Sequence, residues 1–211
     1  MDKMTIGSFR RGAGDKDRAI PRRPMGFSLV ELLTVMGIIC LLAIFTVPAI
    51  SSILRGSNLN RAGQMIEDQF SSARQIAVSK NRDIEVRFYY MTNGMFSGWR
   101  GLQLWLIEQT PAGPATNMFG RVKVIPDGIL MSTNLSPLIT ASPLNSSVTL
   151  PSLGPTPYRG FRFRASGSLE NSVGDQNYVT LVNALDLGSP PKNYYTIQIN
   201  PLTGKASVYR P

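Results

Sequence analysis

The sequence predicts an α+β protein in which one long N-terminal helix packs on a mostly antiparallel β-sheet. Three observations support this class: an uncharged apolar segment near the start, an amphipathic helical pattern after it, and short strand patterns separated by turn residues from residue 82 onwards. At 211 residues the chain has room for one modest domain beside the apolar segment.

The apolar segment, residues 27–50, is predicted to be a transmembrane helix. Its 24 residues would extend about 36 Å, and the hydrocarbon core of a membrane is about 30 Å thick. Seven basic residues precede the segment, whereas only Arg55 and Arg61 follow it closely. Because basic flanks stay in the cytoplasm, we expect a cytoplasmic N-terminus and an extracytoplasmic C-terminal bulk. A cleaved secretory signal fits poorly because the run exceeds about 7–15 residues; a plain single-pass anchor is the alternative.

Glu31 is the only charged residue between Pro24 and Leu54. An unpaired carboxylate at membrane depth costs about 2.5–3.5 kcal/mol, so it needs a partner. We expect that partner to be a new amino terminus created by cleavage after Gly26, since the Phe27 nitrogen would change from a neutral amide to an amine with a pKa of about 7.7–8.0. Glu31 would then lie in the first turn of the new helix, where the N–H groups and the helix dipole favour a negative charge.

Residues 26–33, which read Gly-Phe-Ser-Leu-Val-Glu-Leu-Leu, resemble the class III signal of type IV pilins and type II secretion pseudopilins. The resemblance implies cleavage between Gly26 and Phe27 by prepilin peptidase and N-methylation of Phe27. It also implies that Glu31 meets the terminal amine of a neighbouring subunit and sets the axial register during assembly. Because the extreme-tip subunit of the family typically lacks this acid, the chain resembles one that stacks beneath a neighbour.

The resemblance also implies a cleaved basic leader, residues 1–26, in which Arg22 and Arg23 help to set the topology. The mature protein would be a structural subunit of a periplasmic pseudopilus or type IV pilus-like filament for protein secretion. Its implied location is the bacterial inner membrane, in a single pass with a periplasmic C-terminal domain, and the pseudopilus after processing. The implied partners are prepilin peptidase, other pilin or pseudopilin subunits, the inner-membrane assembly platform and membrane lipid.

Gly37 and Pro48 both weaken the predicted membrane helix. Proline removes the N–H that would reach Ile44 and clashes with that turn. One interpretation is a passive kink, tolerated as in many membrane helices. The other, by analogy with pilins, is local melting that lets subunits pack into a fibre, and we favour it slightly.

Residues 51–81 are predicted to continue as an amphipathic stem that ends near Lys80 and Asn81. Its apolar residues recur at steps of three and four, which favours one face packed on a sheet. They are Leu59, Ala62, Ile66, Phe70, Ala73 and Ala77, widened by Met65 and Ile76.

Residues 82–211 read as a β-rich domain. In the first strand pattern, Ile84, Val86, Phe88 and Tyr90 alternate with polar or amphipathic residues. Further strands are predicted over 102–109, 121–125, 129–131, 161–164, 178–185, 194–199 and 206–209, with the last two paired across a turn. Residues 132–157 contain 15 Ser, Thr or Pro among 26 residues, so we expect a long exposed loop with at most one short strand.

Three segments of the mature chain resemble the H-type minor pseudopilins, the GspH and FimT-like domain. They are residues 73–77 with Asn81, residues 161–163 before Gly167, and the closing hairpin 197–205. The size and plan are also similar to the pilin-like protein D of the Verru_Chthon cassette group.

The composition argues against an enzyme. The chain has no histidine, and its only cysteine, Cys40, lies in the apolar segment. An intrachain disulfide, a cysteine–histidine zinc site and a histidine-based triad are therefore excluded. The sequence also lacks a phosphate loop or a dinucleotide fingerprint. We expect no cofactor and no catalytic residue.

A DNA-binding minor pilin for DNA uptake is the alternative function. Arg159, Arg162, Arg164 and Arg210, with nearby aromatic residues, supply suitable charge and stacking groups. Strand alternation, however, predicts that Phe161 and Phe163 are buried and that the arginines form a solvated strand face, which we favour. A simple membrane-anchored binding module is a third possibility, and it predicts an uncleaved N-terminus.

Overall fold

The computed structural model describes residues 26–92, 95–142, 144–151, 153–170, 172–186 and 191–211, without the side chains at 47–49, 51 and 52. The predicted leader, with Arg22 and Arg23, lies outside the described residues apart from Gly26. The chain divides into two compact units, one ending at Phe45 and one beginning at Thr46. Each unit is described by itself below.

Helix α1 runs from Leu29 to Lys80 and belongs to both units. In the second unit it buries the predicted apolar stripe, whose members are each at most 2% exposed: Leu59, Ala62, Ile66, Phe70, Ala73 and Ala77. Met65 and Ile76 pack half-buried against the same core. Steps of three and four residues place all of them on one helix face.

The helix ends where the sequence predicts a stop. Asn81 takes a left-handed conformation with φ of 49°, which asparagine tolerates better than most residues. The N–H of Arg82 then donates to the carbonyl of Ala77 at 3.1 Å and satisfies one of the last helical acceptors.

Nine strands and one short helix follow α1. They are β1 (Ile84–Met91), β2 (Gly98–Thr110), β3 (Gly113–Val124), β4 (Ile129–Met131), α2 (Pro137–Thr140), β5 (Leu144–Leu150), β6 (Gly154–Phe163), β7 (Tyr178–Asn183), β8 (Tyr194–Ile199) and β9 (Ala206–Tyr209). The strands form one sheet in the order β5-β6-β1-β2-β4-β7-β8-β9, and β3 pairs with β2. The pairings are antiparallel. The predicted α+β class is confirmed, as is the β8–β9 hairpin.

The core lies between the stem and one face of the sheet. Phe70 of α1 packs edge-on against Phe88 of β1 and Phe161 of β6, with ring centroids 6.1 and 5.4 Å apart. Phe161 also packs edge-on against Phe163 at 5.4 Å. Such contacts add about 0.5–1.5 kcal/mol beyond the burial of the rings. Phe161 and Phe163 are 1% and 0% exposed, as strand alternation predicts.

The prediction of a long exposed loop over residues 132–157 is wrong. This stretch contains α2, β5 and the start of β6, and Leu138 and Ile139 are buried. Its prolines are compatible with a strand because Pro155 and Pro157 pair only with β5; the β1 neighbour of β6 begins at Tyr158. Proline is tolerated where one side of a strand needs no N–H donor.

Several strand predictions differ from the structure in detail. In β1, Tyr89 is buried and Tyr90 is 36% exposed, the opposite of the sequence prediction. Tyr89 shares a face with Glu85 and Arg87, where its hydroxyl accepts a hydrogen bond from Trp105 and its ring contacts Tyr158. A register shift in the β1–β2 pairing separates it from Tyr90. Strand β3 begins at Gly113 rather than at Arg121, because it forms a hairpin with the long strand β2.

Candidate functional site

The N-terminal end of α1 is apolar and uncovered. Gly26, Phe27 and Ser28 precede the helix, and the N–H of Leu32 donates to the carbonyl of Ser28 at 3.0 Å. Within the described residues, the helical stretch Leu29–Thr46 is long and apolar enough to cross a membrane, with a mean hydropathy of 2.5 and none of its residues buried. The exposed apolar surface continues through Ile50, Ile53 and Leu54.

Glu31 lies in the first turn of α1 and is exposed. Its carboxylate forms neither an ion pair nor a hydrogen bond with another residue that the structure describes. The one polar neighbour in the next turn, Thr34, satisfies its hydroxyl by donating to the carbonyl of Val30 at 2.8 Å. The acid therefore stands alone on an apolar helix surface, next to the predicted cleavage point at Gly26 and Phe27.

The predicted weak points of the helix, Gly37 and Pro48, do not end it. The helical assignment is continuous across both positions, and a Cβ built at Gly37 would meet nothing within 4 Å. Glycine at this position is therefore not required by packing inside the described chain. Kinking or melting at Gly37 and Pro48 stays a prediction.

The structure does not gather the four arginines considered for nucleic-acid contact. Arg159 lies on the helix-facing side of the sheet and donates to the carbonyl of Ile139 at 2.9 Å. Arg162 lies on the other face of the same strand. Arg210 follows the edge strand β9, where its guanidinium lies 5.6 Å from the ring centroid of Tyr195, and Arg164 is exposed in the turn after β6.

Arg162 is part of a charged network on the outer face of the sheet. Its Nε lies 3.1 Å from Glu85 Oε2, and its Nη1 lies 3.4 Å from Glu170 Oε2. Partial burial lowers the pKa of Arg162, but the hydrogen bond and charge of Glu85, followed by those of Glu170, outweigh this effect and leave the pKa raised. The guanidinium is thus held by protein carboxylates rather than presented to a ligand.

Glu85 also pairs with Arg87, and this buried pair was not anticipated from the sequence. The Arg87 guanidinium lies between two aromatic rings, 4.0 Å from the centroid of Trp105 and 4.2 Å from that of Tyr158. Glu85 and Arg87 are 1% and 5% exposed. The aromatic residues that cover this pair lie on neighbouring strands and can be placed only once the strand order is known.

A chain of hydrogen bonds extends the network. Trp105 Nε1 donates to the Tyr89 hydroxyl at 2.8 Å, which donates to Gln103 Oε1 at 2.9 Å. Gln103 Nε2 donates in turn to the carbonyl of Gly120 at 2.8 Å. Burial raises the pKa of Tyr89 to about 12, although the hydrogen bond from Trp105 acts in the opposite direction. The network satisfies buried polar groups and is structural.

The three segments that carry the H-type resemblance meet at the end of α1. Arg74 Nε donates to the carbonyl of Thr203 at 2.7 Å, which ties the stem to the β8–β9 turn. The carboxylate of Asp83, just after the helix, accepts the N–H of Ala165 at 2.9 Å. Segments 73–83, 161–169 and 197–205 therefore form one junction.

Two glycines allow the turns of this junction to touch. Gly167 and Gly204 have φ of 85° and 64°, which favours glycine. A Cβ at Gly204 would overlap the carbonyl oxygen of Gly167, and the N–H of Leu169 donates to the carbonyl of Pro201 at 2.8 Å. The resemblance thus falls on residues that share a structural role.

The described residues hold no group of three or more His, Cys, Asp or Glu side chains placed to bind a metal ion. Cys40 is a free, exposed thiol on the apolar helix.

No family model matches the chain, and no curated protein matches it either. Among solved structures, the chain is similar to the minor pseudopilin EpsH from the type 2 secretion system of Vibrio cholerae. The identity is 10%, the match covers 72% of this chain and 96% of EpsH, and the TM-score is 0.43. Because this likeness is distant, the functional proposal rests on the residues of this chain.

Proposed function

We propose that the chain is a structural subunit of the minor pseudopilin type, processed between Gly26 and Phe27 and assembled through the N-terminal part of α1. The observation that carries this proposal is the lone carboxylate of Glu31, on an uncovered apolar helix five residues after Gly26. A carboxylate in that position requires a cation. Cleavage supplies one, the amine of Phe27, in every subunit.

In this proposal the subunit is anchored in the bacterial inner membrane, with the β domain in the periplasm. Prepilin peptidase removes the leader and Phe27 is methylated. The assembly platform then adds the subunit to a filament that serves protein secretion. In the filament, Glu31 pairs with the terminal amine of a neighbouring subunit. The uncovered apolar residues of 27–54 leave the lipid and pack against the helices of other subunits.

Glu31→Leu tests the pairing. We expect the variant to insert in the membrane and to be processed, because the cleavage residues and the hydropathy are retained. It should be depleted from filaments by about a hundredfold, since it leaves a neighbouring ammonium group unpaired in lipid at a cost of about 2.5–3.5 kcal/mol. The measurement is the ratio of the protein in purified filaments to that in membranes.

Two matched variants separate charge from shape. Glu31→Gln keeps the size of the side chain and loses only the charge, so it should also be depleted. Thr34→Val removes a hydroxyl that already bonds its own helix and should enter filaments normally. Normal incorporation of Glu31→Leu would rule out this role for the carboxylate.

DNA binding is not proposed, because Arg159, Arg162 and Arg210 lie on different parts of the sheet and Arg162 is held by two glutamates. A simple membrane anchor differs from the proposal in one respect that can be measured: its N-terminus would stay uncleaved.

A further inference from the structure

The junction at the end of α1 carries an exposed basic surface. Four exposed cations surround it, and we call this surface the basic end: Arg74, Arg82, Arg164 and Lys205. Arg74 is fixed by its bond to Thr203. Arg164 and Lys205 flank the two turns that touch at Gly167 and Gly204.

The charge of the basic end is not neutralised within the part of the chain that the structure describes. None of the four cations forms an ion pair there. Glu170 pairs with Arg162, and the carboxylate of Asp83, which accepts the N–H of Ala165, forms no ion pair with any of the four. The negative end of the helix dipole, about half an elementary charge, offsets only a small part of four positive charges.

An apolar centre accompanies these charges. Leu202, at the tip of the β8–β9 turn, is 83% exposed, and Val78 on the last turns of α1 is 51% exposed. Val78 lies beside Gly167, so it belongs to the same surface. Protein interfaces combine an apolar centre with arginine and a polar rim. Binding of single-stranded nucleic acid relies instead on exposed aromatic rings, and the exposed large apolar residues of segments 73–83, 161–169 and 197–205 are aliphatic.

The distance along α1 argues against a lipid headgroup as the ligand. Leu54, the last residue of the uncovered apolar stretch, lies 20 positions before Arg74, which corresponds to about 30 Å of helix. Electrostatic attraction to a membrane surface is screened over about 8 Å at physiological ionic strength.

We propose that the basic end is a docking surface for an acidic protein surface that also receives the side chain of Leu202. The inference does not depend on leader processing or on Glu31, so its failure would leave the proposed function intact. It assigns a partner-binding role to residues that the assembly of N-terminal helices does not use.

The test uses the full-length protein in nanodiscs of zwitterionic lipid. The probes are a labelled glutamate-rich peptide that carries leucines, the same peptide with serine in place of leucine, and an oligothymidine of equal charge. Fluorescence anisotropy gives the dissociation constants. We expect the leucine peptide to bind most tightly, and added salt to weaken it.

A charge-reversal pair locates the site. Arg164→Glu with Lys205→Glu should weaken binding of the leucine peptide about tenfold. The control, Arg121→Glu with Lys123→Glu, makes the same change in net charge on exposed positions of β3 and should alter binding by less than about twofold. Leu202→Ser should remove the preference for leucine over serine. Circular dichroism checks that each variant is folded.

Three results would overturn the proposal. An equal loss in the β3 control would indicate non-specific attraction by net charge. Tighter binding of the oligothymidine than of either peptide would favour a nucleic-acid ligand instead. Absence of binding by both peptides would show that the basic end does not recognise acidic protein surfaces.

Discussion

Glu85 holds two cations on the outer face of the sheet while being 1% exposed. The carboxylate is shared by Arg87 and Arg162, and the Arg87 guanidinium is itself covered by the rings of Trp105 and Tyr158 on adjacent strands. Its removal leaves the Arg87 guanidinium without a counter-charge in a poorly solvated place, whereas Arg162 keeps its ion pair with Glu170. A buried ion pair of this kind adds little net stability to the fold, but removal of one partner is strongly destabilising because the other charge stays buried and unpaired.

Glu85→Gln should therefore lower the free energy of unfolding by about 3–5 kcal/mol. Glu170→Gln is the matched control, because Glu170 pairs with the same arginine but keeps 29% of its side chain exposed; it should cost less than about 1 kcal/mol. Urea unfolding of the full-length protein in detergent micelles, followed by tryptophan fluorescence, measures both. Equal losses would mean that burial of Glu85 does not matter.

Tyr89 gives the stability of the β domain a dependence on alkaline pH. Its pKa is raised from 10.0 to about 12, chiefly by burial. Between these values the unfolded chain binds fewer protons than the folded one, so stability falls as pH rises, by up to about 1.4 kcal/mol per pH unit. Below pH 10 the contribution is fully present.

Tyr89→Phe should flatten this decline, in addition to a constant loss from the missing hydrogen bonds to Trp105 and Gln103. Tyr209→Phe, at an exposed position, should leave the decline unchanged. Chemical unfolding at several pH values from 9 to 12 separates the slope from the constant loss. A wild-type slope retained in Tyr89→Phe would contradict the assignment.

At the scale of elements, the stem closely approaches the sheet at Gly63. A Cβ at this position would overlap the ring of Tyr195 on β8, whereas a Cβ at Gly56, seven residues earlier in the same helix, would meet nothing within 4 Å. Glycine at 63 is thus required by packing, and glycine at 56 is not. Tyr195 is itself buried, and its pKa is raised by this burial and then by the charge of Glu67.

The two glycines predict opposite effects of the same substitution. Gly56→Ala should stabilise the stem by about 0.8–1 kcal/mol through helix propensity. Gly63→Ala gains the same propensity but forces the sheet away from the helix, so it should be destabilising by about 1–3 kcal/mol overall. Thermal unfolding of the two variants side by side checks this. A stabilising Gly63→Ala would show that α1 does not pack on β8 this closely.

Elements with a strong local pattern could be predicted from the sequence. The stem stripe, the stop at Asn81, and strands β4, β8 and β9 are found where their periodicity or turn residues place them. The loop prediction for residues 132–157 was wrong because their Ser, Thr and Pro content was taken to allow at most one short strand, whereas Pro155 and Pro157 lie on a strand segment with a neighbour on one side only. The burial of Tyr89 could not be predicted because it depends on side chains of neighbouring strands, Trp105 and Tyr158.

The site residues likewise fall into those that the sequence could indicate and those that it could not. Gly26, Phe27 and Glu31 could be singled out from the sequence because the signal lies in their spacing and in an apolar surrounding that is itself local; cleavage, methylation and pairing at these residues stay predictions. The Glu85 network and the junction of Arg74, Gly167 and Gly204 depend on which strands become neighbours, and spacing along the chain carries no information about that. The arginines of β6 had been expected to form a solvated strand face, but Arg159 lies on the helix-facing side and Arg162 is held by Glu85 and Glu170.

At the scale of the whole molecule, the proposed function requires two covalent forms of the chain, one before and one after cleavage between Gly26 and Phe27. Before cleavage, Glu31 lies on an apolar helix without a cation to pair with among the described residues. After cleavage, each subunit offers one ammonium group and one carboxylate, so a stack of subunits can neutralise both.

Mass spectrometry of the N-terminal peptide, from protein extracted from native membranes, tests this account most directly. The account predicts a first residue at Phe27 that carries one additional methyl group on its nitrogen. A mature protein that still begins with the arginine-containing leader, with Arg22 and Arg23 ahead of an unmodified Phe27, would contradict it.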